Sequence, residues 1–377
     1  MYGYAKFMKK EIKFKLAELF CGPGGLALGA LRSFAQNNQS LFKINSVWAN
    51  DIDSDTCETY ARNIHGGNTD RIICAPVEKI DFEKVPKFDA LAFGFPCNDF
   101  SVVGEQKGFD GKFGPLYSYG VKAINIHNPK WFIAENVSGL QSANNGLAFK
   151  NILHDLENAG KGYVLTPHLY KFEGYGVPQM RHRIVIIGIR KNLGLKFKVP
   201  APTTKYNFVS SRQSLENPPI PENVPNHDLT KQSAGVIERL KYIPAGENAW
   251  YEGIPVHLRL NVKSARMSQI YKRLHPDKPS YTITGSGGGG THVYHWSENR
   301  ALTNRERARL QSFPDDFIFE GSKESVRKQI GMAVPPTGAQ IIIGAVLKTF
   351  AGISYDSVEA KLTNGEANAK EISSLFD

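Results

Sequence analysis

The sequence predicts an α/β fold: a Rossmann-like, mostly parallel sheet with a smaller, irregular second domain. Two observations support this fold class. In the first half of the chain, continuously apolar strand candidates alternate with helical patterns, which is typical of a parallel sheet covered by helices on both faces. Between residues 200 and 279 the chain carries 10 of its 21 prolines, and proline disfavours long helices because it lacks a backbone donor.

The predicted strands are apolar runs bounded by polar or turn-forming residues. The first run leads into CGPGG and a helix of small residues from residue 26. The second run leads into an amphipathic helix over 54–64, which begins behind a Ser or Asp cap. The predicted strands are 14–20, 44–51, 71–77, 88–95, 130–137 and 181–190.

Helical pattern returns after the proline-rich stretch. One helix is predicted over 302–313, with Thr303 or Asn304 as its cap, and another covers 339–350. The last residues are polar and are expected to be partly disordered or docked as a short helix. The chain is thus expected to divide into a sheet domain, a smaller domain, a helical segment returning to the sheet domain and a polar tail, with bounds 1–195, 196–300, 301–350 and 351–377.

Charge is unevenly distributed along the chain. The net charge is +10, and residues 196–300 hold 14 Lys and Arg against 8 Asp and Glu, a net +6. A basic stretch of this kind favours a polyanionic partner. The longest apolar runs, 184–189 and 341–347, are too short for a membrane span, and the basic start lacks the apolar core of a signal peptide. We therefore expect a cytoplasmic protein.

Cysteine usage argues against metal or disulfide scaffolding. The four cysteines form no C-x-x-C pair, so no zinc site is expected, and so few in a long chain do not make a disulfide framework. Cys57 and Cys74 are predicted to lie in the core. Cys97 differs, because it follows Pro96 at the end of an apolar strand and precedes a glycine-rich stretch.

The strand end at Cys97 is where ligands bind in open α/β sheets. A free cysteine is more often a small buried hydrophobe than a nucleophile. A turn that supplies N–H groups would lower the pKa of the Cys97 thiol, and the thiolate is the reactive form. The following loop has glycines able to act as hinges, namely Gly104, Gly108, Gly111 and Gly114.

The segment FCGPGG indicates a ligand site at the start of a helix, because glycines allow backbone N–H groups to approach a ligand. It is neither a G-x-G-x-x-G fingerprint nor a Walker motif. About 30 residues on, the second strand ends at Asp51 and Asp53, where an acid can accept hydrogen bonds from ribose hydroxyls. A nucleoside-containing cofactor is predicted; a tight turn with a helix cap is the alternative.

Two further strand ends carry charge. Glu135 follows an apolar strand and is costly there unless it is paired, so it is a candidate general acid or base-edge acceptor, with a cap or salt bridge as the alternative. Arg181 and Arg183 share one side of a strand because strand side chains alternate. Two guanidinium groups suit an anionic or carbonyl-bearing substrate; alone, they also fit a solvated sheet edge.

Taken together and in order, these segments resemble the DNA (cytosine-5)-methyltransferase family of bacterial restriction-modification type. The resemblance covers roughly residues 14–190 and 280–350. The segments that carry it are FCGPGG, GFPCNDFS, AENV, QMRHR, LTNRERARLQSFPDDF and GMAVPP. Pro-Cys and Glu-Asn-Val contribute most to it.

The resemblance implies a reaction and its residues. Cys97, preceded by Pro96, would add to carbon 6 of a cytosine flipped out of the duplex, and the loop after it would close over the base. Glu135 would hold ring nitrogen 3 and the amine, Arg183 the ring carbonyl, and Arg181 would complete the catalytic set. Carbon 5 would take a methyl group from S-adenosyl-L-methionine, leaving S-adenosyl-L-homocysteine. The cofactor residues would be Phe20, Gly22, Gly24, Gly25, Asp51, Ile52 and Leu116.

Residues 196–300 would then be the target-recognition domain for double-stranded DNA. Their side chains would read base edges or hold phosphates, so binding should fall steeply with salt. Monomeric action and a cognate restriction endonuclease are further family expectations. The candidate DNA-binding residues are Arg266, Ser268, Gln269, Lys272, Arg273, Thr282, Gly287 and Gly288.

Three positions depart from the family pattern. Met332 stands where the family usually has asparagine, Pro76 where an acid usually contacts the adenine amine, and Asn98 where glutamine is common. None of the three removes a catalytic group, so we expect altered cofactor affinity. Three alternatives stay open: an RNA cytosine-5 methyltransferase on the same scaffold, a non-catalytic DNA-binding protein, and a cysteine hydrolase, which lacks a credible histidine base.

Overall fold

The computed structural model describes residues 10–96, 116–261, 267–285, 287 and 290–362, with the backbone alone at 144 and 145. The described residues form an eight-stranded sheet in the order β2-β3-β1-β5-β6-β8-β7, with β4 beside β3. A two-stranded sheet joins β9 and β10. The strands are β1 Lys10–Leu19, β2 Phe34–Gln36, β3 Ser40–Asp51, β4 Ile72–Cys74, β5 Ala90–Phe93, β6 Trp131–Val137, β7 Tyr163–Lys171, β8 His182–Arg190, β9 Val199–Pro200 and β10 Ser357–Val358.

The predicted fold class is confirmed. Parallel pairing joins β4, β3, β1, β5 and β6, while β2, β7 and β8 pair antiparallel at the two margins. All six predicted strand regions contain a strand. The strands β2 and β7 were not predicted from the sequence. The segment YVLTPHLYK of β7 mixes polar residues and proline with apolar ones, so its strand character depends on pairing along the whole of β8.

Four of the described helices begin where a side chain accepts a free backbone N–H group. Asp53 accepts from the Thr56 amide (3.0 Å) at the start of α2, and Thr303 forms a capping box with Glu306 at the start of α7. Both predicted caps are therefore present. The helices are α1 Gly25–Arg32, α2 Ser54–Ile64, α3 Tyr117–His127, α4 Leu147–Asn158, α5 Ser211–Glu216, α6 Ala234–Leu240, α7 Asn304–Leu310, α8 Lys323–Met332 and α9 Pro336–Ala351.

The sheet has a hydrophobic core on each face, and alternation along β6 shows why its sequence is continuously apolar. Phe132 and Ala134 join one core, which α3 and α4 complete. Trp131 and Ile133 join the other, which α1 and α9 complete. Burial of one such large side chain stabilises the fold by about 1.5–3 kcal/mol.

The segment after β9 is loop-rich, as predicted. Between residues 201 and 300 the described helices are short, and a small separate core forms from Leu240, Ile254, Tyr271 and Tyr294. Of the C-terminal helices, α9 packs in the same core as Trp131 and Ile133, whereas α7 and α8 share a core with Leu274 and Ile283 of the loop-rich segment. By length and composition, residues 323–351 could span a membrane. In the structure, however, 67% of their most apolar 18-residue stretch is buried inside the protein. Residues 333–335 also divide this region into α8 and α9.

Candidate active site

The carboxyl ends of four parallel strands meet at one edge of the sheet. In register, Leu19 of β1 lies opposite Asn50 of β3 and Phe93 of β5, and Phe93 lies opposite Ala134 of β6. The residues that follow these positions are the ones singled out from the sequence. The fold therefore brings Phe20 and the glycine loop, Asp51, Gly94 and Glu135 into one row.

The glycines of the loop after β1 differ in what surrounds them, so glycine is required for different reasons at each position. Gly22 has φ +54° and open space where a side chain would stand. A Cβ on Gly24 (φ +97°) would lie 2.8 Å from Ile64, and one on Gly25 would clash with the Val334 carbonyl oxygen. Gly22 is therefore the member with room for a ligand, whereas Gly24 and Gly25 permit close packing of α2 and of the segment before α9.

Two roles were predicted for the acids of this turn, an acceptor for ribose hydroxyls and a helix cap, and Asp51 and Asp53 differ in which role they fit. Asp51 accepts from the amides of Gly22 (2.9 Å), Ile52 (2.8 Å) and Asp53 (3.1 Å), and burial raises the pKa of its carboxyl. Asp53 is the helix cap and lies 3.6 Å from the ammonium of Lys328. Asp51 is the acid that remains at the mouth of the glycine loop.

Apolar residues beside Asp51 fit a flat aromatic ligand. Ile52 is 69% exposed although it is large and hydrophobic. Phe20, at φ 54°, and Leu116 are half-buried and pack against the core on one face of the sheet. An acid for ribose hydroxyls, an uncovered Ile52 and free space at Gly22 together fit a nucleoside-containing cofactor.

A buried acid beside this pocket was not predicted from the sequence. Glu18 is 3% exposed and accepts a hydrogen bond from the Tyr60 hydroxyl (3.0 Å). Burial, with the nearby charge of Asp51, raises the pKa of Glu18 to about 8. The signal in the sequence was a lone acid inside the apolar run LAELF.

Glu135 is paired with Arg183, as expected of a buried carboxylate at a strand end. The Arg183 Nε lies 3.0 Å from Glu135 Oε1, and both side chains are largely buried. Burial raises the pKa of the Glu135 carboxyl, while Arg183 and Arg181 act in the opposite direction. A Cβ on Gly94 would lie 3.2 Å from Glu135 Oε2, so the chain leading to Pro96 passes directly beside the carboxylate.

Asn136 is a second residue whose part was not anticipated. It is buried, and its side-chain amide donates to the Phe95 carbonyl (3.3 Å). This bond fixes the chain next to Pro96, which is half-buried. Cys97 and the loop through residue 115 lie outside the described residues.

Arg181 is buried rather than part of a solvated edge. Its guanidinium donates to the carbonyls of Ile283 (3.2 Å) and Gly331 (3.0 Å). Gln179, two residues earlier, accepts from the Ile283 amide (2.9 Å) and donates to the Leu310 carbonyl (3.2 Å). The Gln-x-Arg segment thus joins the smaller domain and the C-terminal helices to the sheet edge, and we regard Arg181 as a positioning residue.

The predicted DNA-binding residues have different environments. Ser268 and Gln269 are exposed, and Lys272 lies 4.8 Å above the Tyr281 ring. Thr282 donates its hydroxyl to the Met180 carbonyl (2.6 Å), and Gly287 packs against the Arg327 side chain. Arg266 and Gly288 lie outside the described residues.

Arg273 requires a correction. It is 3% exposed, and its guanidinium donates to the carbonyls of His295 (2.7 Å), Glu298 (2.8 Å) and Leu240 (2.6 Å) and to the Asn299 side chain. These bonds hold the smaller domain together and leave little of the group for DNA. The local sequence does not indicate that Arg273 is buried, because it is a basic residue close to exposed residues in the chain.

The whole chain is similar to known methylases. The family model described as C-5 cytosine-specific DNA methylase matches residues 14–348. Type II methyltransferase M.BbvI of Brevibacillus brevis is 58% identical over 368 residues, which cover 96% of this chain and 98% of that protein. Type II methyltransferase M.NgoFVII of Neisseria gonorrhoeae is 41% identical over 356 residues, covering 92% and 90% of the two chains. The fold is similar to that of a crystallised candidate DNA modification methyltransferase from an Escherichia coli prophage, with a TM-score of 0.64, 22% identity and coverage of 90% of this chain and 99% of that one.

Proposed function

This chain belongs to the C-5 cytosine-specific DNA methylases and is a DNA (cytosine-5-)-methyltransferase of restriction-modification type, and from that premise we propose how its residues carry the reaction. The nucleophile is Cys97. Its thiolate adds to carbon 6 of a cytosine that has left the duplex stack. The observation that supports this assignment is the row of Glu135, Asn136 and Gly94 around the chain that leads to Pro96.

Glu135 and Arg183 hold the target base in this proposal. Glu135 Oε2 lies beside Gly94, where an added Cβ would be 3.2 Å from it, so this oxygen can accept from the cytosine amine. Because burial raises the pKa of Glu135, the carboxyl can also hold a proton at ring nitrogen 3 while the thiolate adds. That proton neutralises the charge that the addition places on the ring. Arg183 then donates to the ring carbonyl.

The cofactor pocket is assigned to the turn between β1 and α1. The family uses S-adenosyl-L-methionine, which supplies an electrophilic methyl group when bound. Asp51 accepts from the ribose hydroxyls, Ile52 and Phe20 cover the adenine, and Leu116 closes the pocket, with Gly22, Gly24 and Gly25 shaping the loop. After methylation, carbon 5 loses its proton to a base, the electron pair of that bond restores the carbon 5–carbon 6 double bond, and the Cys97–carbon 6 bond breaks to release the thiolate.

The parts of the chain have distinct tasks in this proposal. Residues 1–195 catalyse the reaction and bind the cofactor, 196–300 recognise the DNA sequence, and 301–350 complete the cofactor pocket. The tail, 351–377, has no assigned task. The protein acts in the cytoplasm as a monomer on double-stranded DNA, beside a cognate restriction endonuclease.

One experiment tests the nucleophile and the substrate together. Wild type, Cys97→Ser and Cys74→Ser are incubated with unmethylated mixed-sequence duplex DNA and S-adenosyl-L-methionine, and 5-methylcytosine is mapped by sequencing. Cys74→Ser is the matched control, because Cys74 is an exposed thiol on β4, and its predicted place in the core was wrong; Cys57 is buried as predicted. We expect methylation at one short motif with wild type and Cys74→Ser and none with Cys97→Ser. Methylation that survives in Cys97→Ser, or methylated RNA with unmodified DNA, contradicts the proposal.

A further inference from the structure

Two arginines are buried where the smaller domain meets the C-terminal helices. Arg307 of α7 is 1% exposed and Arg327 of α8 is 8% exposed. Three ring side chains lie near Arg307: its Nη2 lies 3.4 Å from His292 Nδ1, and Tyr281 and Tyr294 favour its charged form. The Arg327 Nη1 donates to the Gly287 carbonyl (2.8 Å).

The charge of this pair lacks a counterion. Neither guanidinium forms an ion pair within the part of the chain that the structure describes. Glu306, the neighbour of Arg307, already accepts two bonds from Arg300 (2.8 and 2.7 Å) and one from the Thr303 amide (2.7 Å). His292 cannot add a negative charge. An uncompensated buried charge is costly, so an anion from outside the chain would be favoured here.

Arg307 differs from the other buried arginines in its hydrogen bonding. Arg305, 0% exposed, donates to the carbonyls of Pro225 (3.1 and 3.0 Å), Pro314 (2.9 Å) and Phe317 (2.8 Å). Arg307 has both Nε and Nη1 buried without a partner among the described residues. A buried donor without a partner costs about 1–3 kcal/mol. Two such donors on one side chain indicate a group reserved for a ligand.

We propose that Arg307 and Arg327 form a binding site for one phosphate of the DNA backbone, filled when the protein engages DNA. The site rests on the proposed function, which supplies the DNA. Arg327 is the more exposed of the two and is held by the neutral Gly287 carbonyl. A phosphate that replaces this carbonyl adds a full negative charge and can take two parallel bonds from the guanidinium, and it can also accept from the Nε and Nη1 groups of Arg307.

Glycine at position 287 fits this exchange. A Cβ there would lie 2.5 Å from Arg327 Cδ, so a side chain would prevent the close approach of this backbone to the arginine. The pair also stays cationic at neutral pH. Burial and the neighbouring Arg327 lower the pKa of Arg307 only to about 10, while burial and the two arginines lower the pKa of His292 to about 4.

The test compares Arg307→Met with Arg305→Met. Affinity for mixed-sequence duplex DNA is measured by fluorescence anisotropy between 50 and 200 mM salt, and Tm is measured without DNA. For Arg307→Met we expect about a tenfold loss of affinity at low salt, a slope of log affinity against log salt reduced by about 0.9, and a Tm no lower than that of wild type. Arg305→Met leaves the carbonyl oxygens of Pro225 and Phe317 without their donor, and its Tm should fall.

Arg327→Met provides a second variant and should lower the slope by the same amount. If the slope of log affinity against log salt equals that of wild type in both Arg307→Met and Arg327→Met, the proposal is overturned. So does a fall in Tm for Arg307→Met as large as that for Arg305→Met, because it indicates a structural arginine. If inorganic phosphate raises the Tm of wild type but not of Arg307→Met while the DNA slope stays unchanged, the site binds a free anion and the DNA assignment is wrong.

Failure of the proposed function would be distinguishable. A wild-type protein that binds DNA with the steeper salt slope but leaves cytosine unmethylated contradicts the methyltransferase mechanism and leaves the phosphate site standing.

Discussion

Three acids at the edge of the sheet show how environment sets the role of a residue. Asp51 is compensated by three backbone N–H groups and Glu135 by arginines, whereas Glu18 has a single tyrosine hydroxyl. All three have a raised pKa because of burial, and for Glu18 the pKa reaches about 8. Asp51 and Glu135 thus have groups beside them that stabilise a negative charge, whereas Glu18, with a pKa of about 8, is suited to remain neutral near pH 7.

Loss of the Glu135 charge should affect both activity and stability. Glu135→Gln leaves the buried Arg183 without its ion partner (3.0 Å), and breaking a buried pair costs about 3–5 kcal/mol. We expect methylation to fall at least about a hundredfold and the free energy of unfolding to drop. Urea unfolding and rate measurements check this, with Arg183→Met and the double variant to complete a cycle. Additive stability losses would show that the two charges are not coupled.

Glu18 should give the protein a pH-dependent stability. Its pKa is about 8 in the folded protein against an ordinary 4.5, so between these values the unfolded chain releases a proton that the folded protein keeps. Wild type should therefore lose stability relative to Glu18→Gln as pH rises from about 4.5 to about 8, by up to about 1.4 kcal/mol per pH unit. Above that range the difference should be constant.

Urea unfolding of both proteins at several pH values measures this difference. A difference that is flat between pH 5 and 8, or that grows in favour of wild type, would show that Glu18 is ionised in the folded protein.

At the scale of the element, glycine decides how closely the helices pack. Gly29 of α1 lies against α9, where a Cβ would clash with the Pro336 carbonyl oxygen and would lie 2.6 Å from the Ala339 Cβ. Gly344, within α9, has nothing within 4 Å of an added Cβ. The same residue type therefore serves close packing in one helix and only weakens the other.

The two glycines should respond in opposite directions to alanine. Gly29→Ala should lower Tm, because backbone atoms of α9 cannot move aside without displacing the helix. Gly344→Ala should stabilise the protein by about 0.5–1 kcal/mol, because alanine favours a helix over glycine. Thermal unfolding of both variants tests the contrast. Equal shifts would mean that helix propensity alone acts and that α1 and α9 pack less closely than described.

At the scale of the molecule, one segment connects the three parts of the chain. Gln179 and Arg181 bond to Ile283 of the smaller domain, and they also bond to Leu310 and Gly331 of the helical segment. All four bonds are buried. The position of the smaller domain over the sheet edge is therefore set by the same Gln-x-Arg-x-Arg segment that supplies Arg183 to Glu135.

Removal of Gln179 should loosen this connection locally. In Gln179→Ala the Ile283 amide loses its acceptor (2.9 Å), so its hydrogen exchange should accelerate at least about tenfold. Gln329→Ala is the matched control, because Gln329 is also buried but, among the described residues, bonds to Glu320 and Ser325 and not to Ile283. Exchange at Ile283 that accelerates equally in both variants would indicate general destabilisation rather than loss of the connection.

Local sequence patterns predict the strand–helix alternation, the capped starts of α2 and α7 and the positions of Asp51 and Glu135 at strand ends. These features can be predicted because periodicity, capping and strand ends are local properties of the chain. Family membership followed from segments in a fixed order. The three-dimensional structure was needed to show that Arg273 is buried and that Asn136 donates to the Phe95 carbonyl. It was also needed to show that Gln179 joins three parts of the chain and that buried Arg307 has two N–H groups without a partner among the described residues. Each of these facts depends on partners far away in sequence, and burial and pairing at long range leave no local pattern to read.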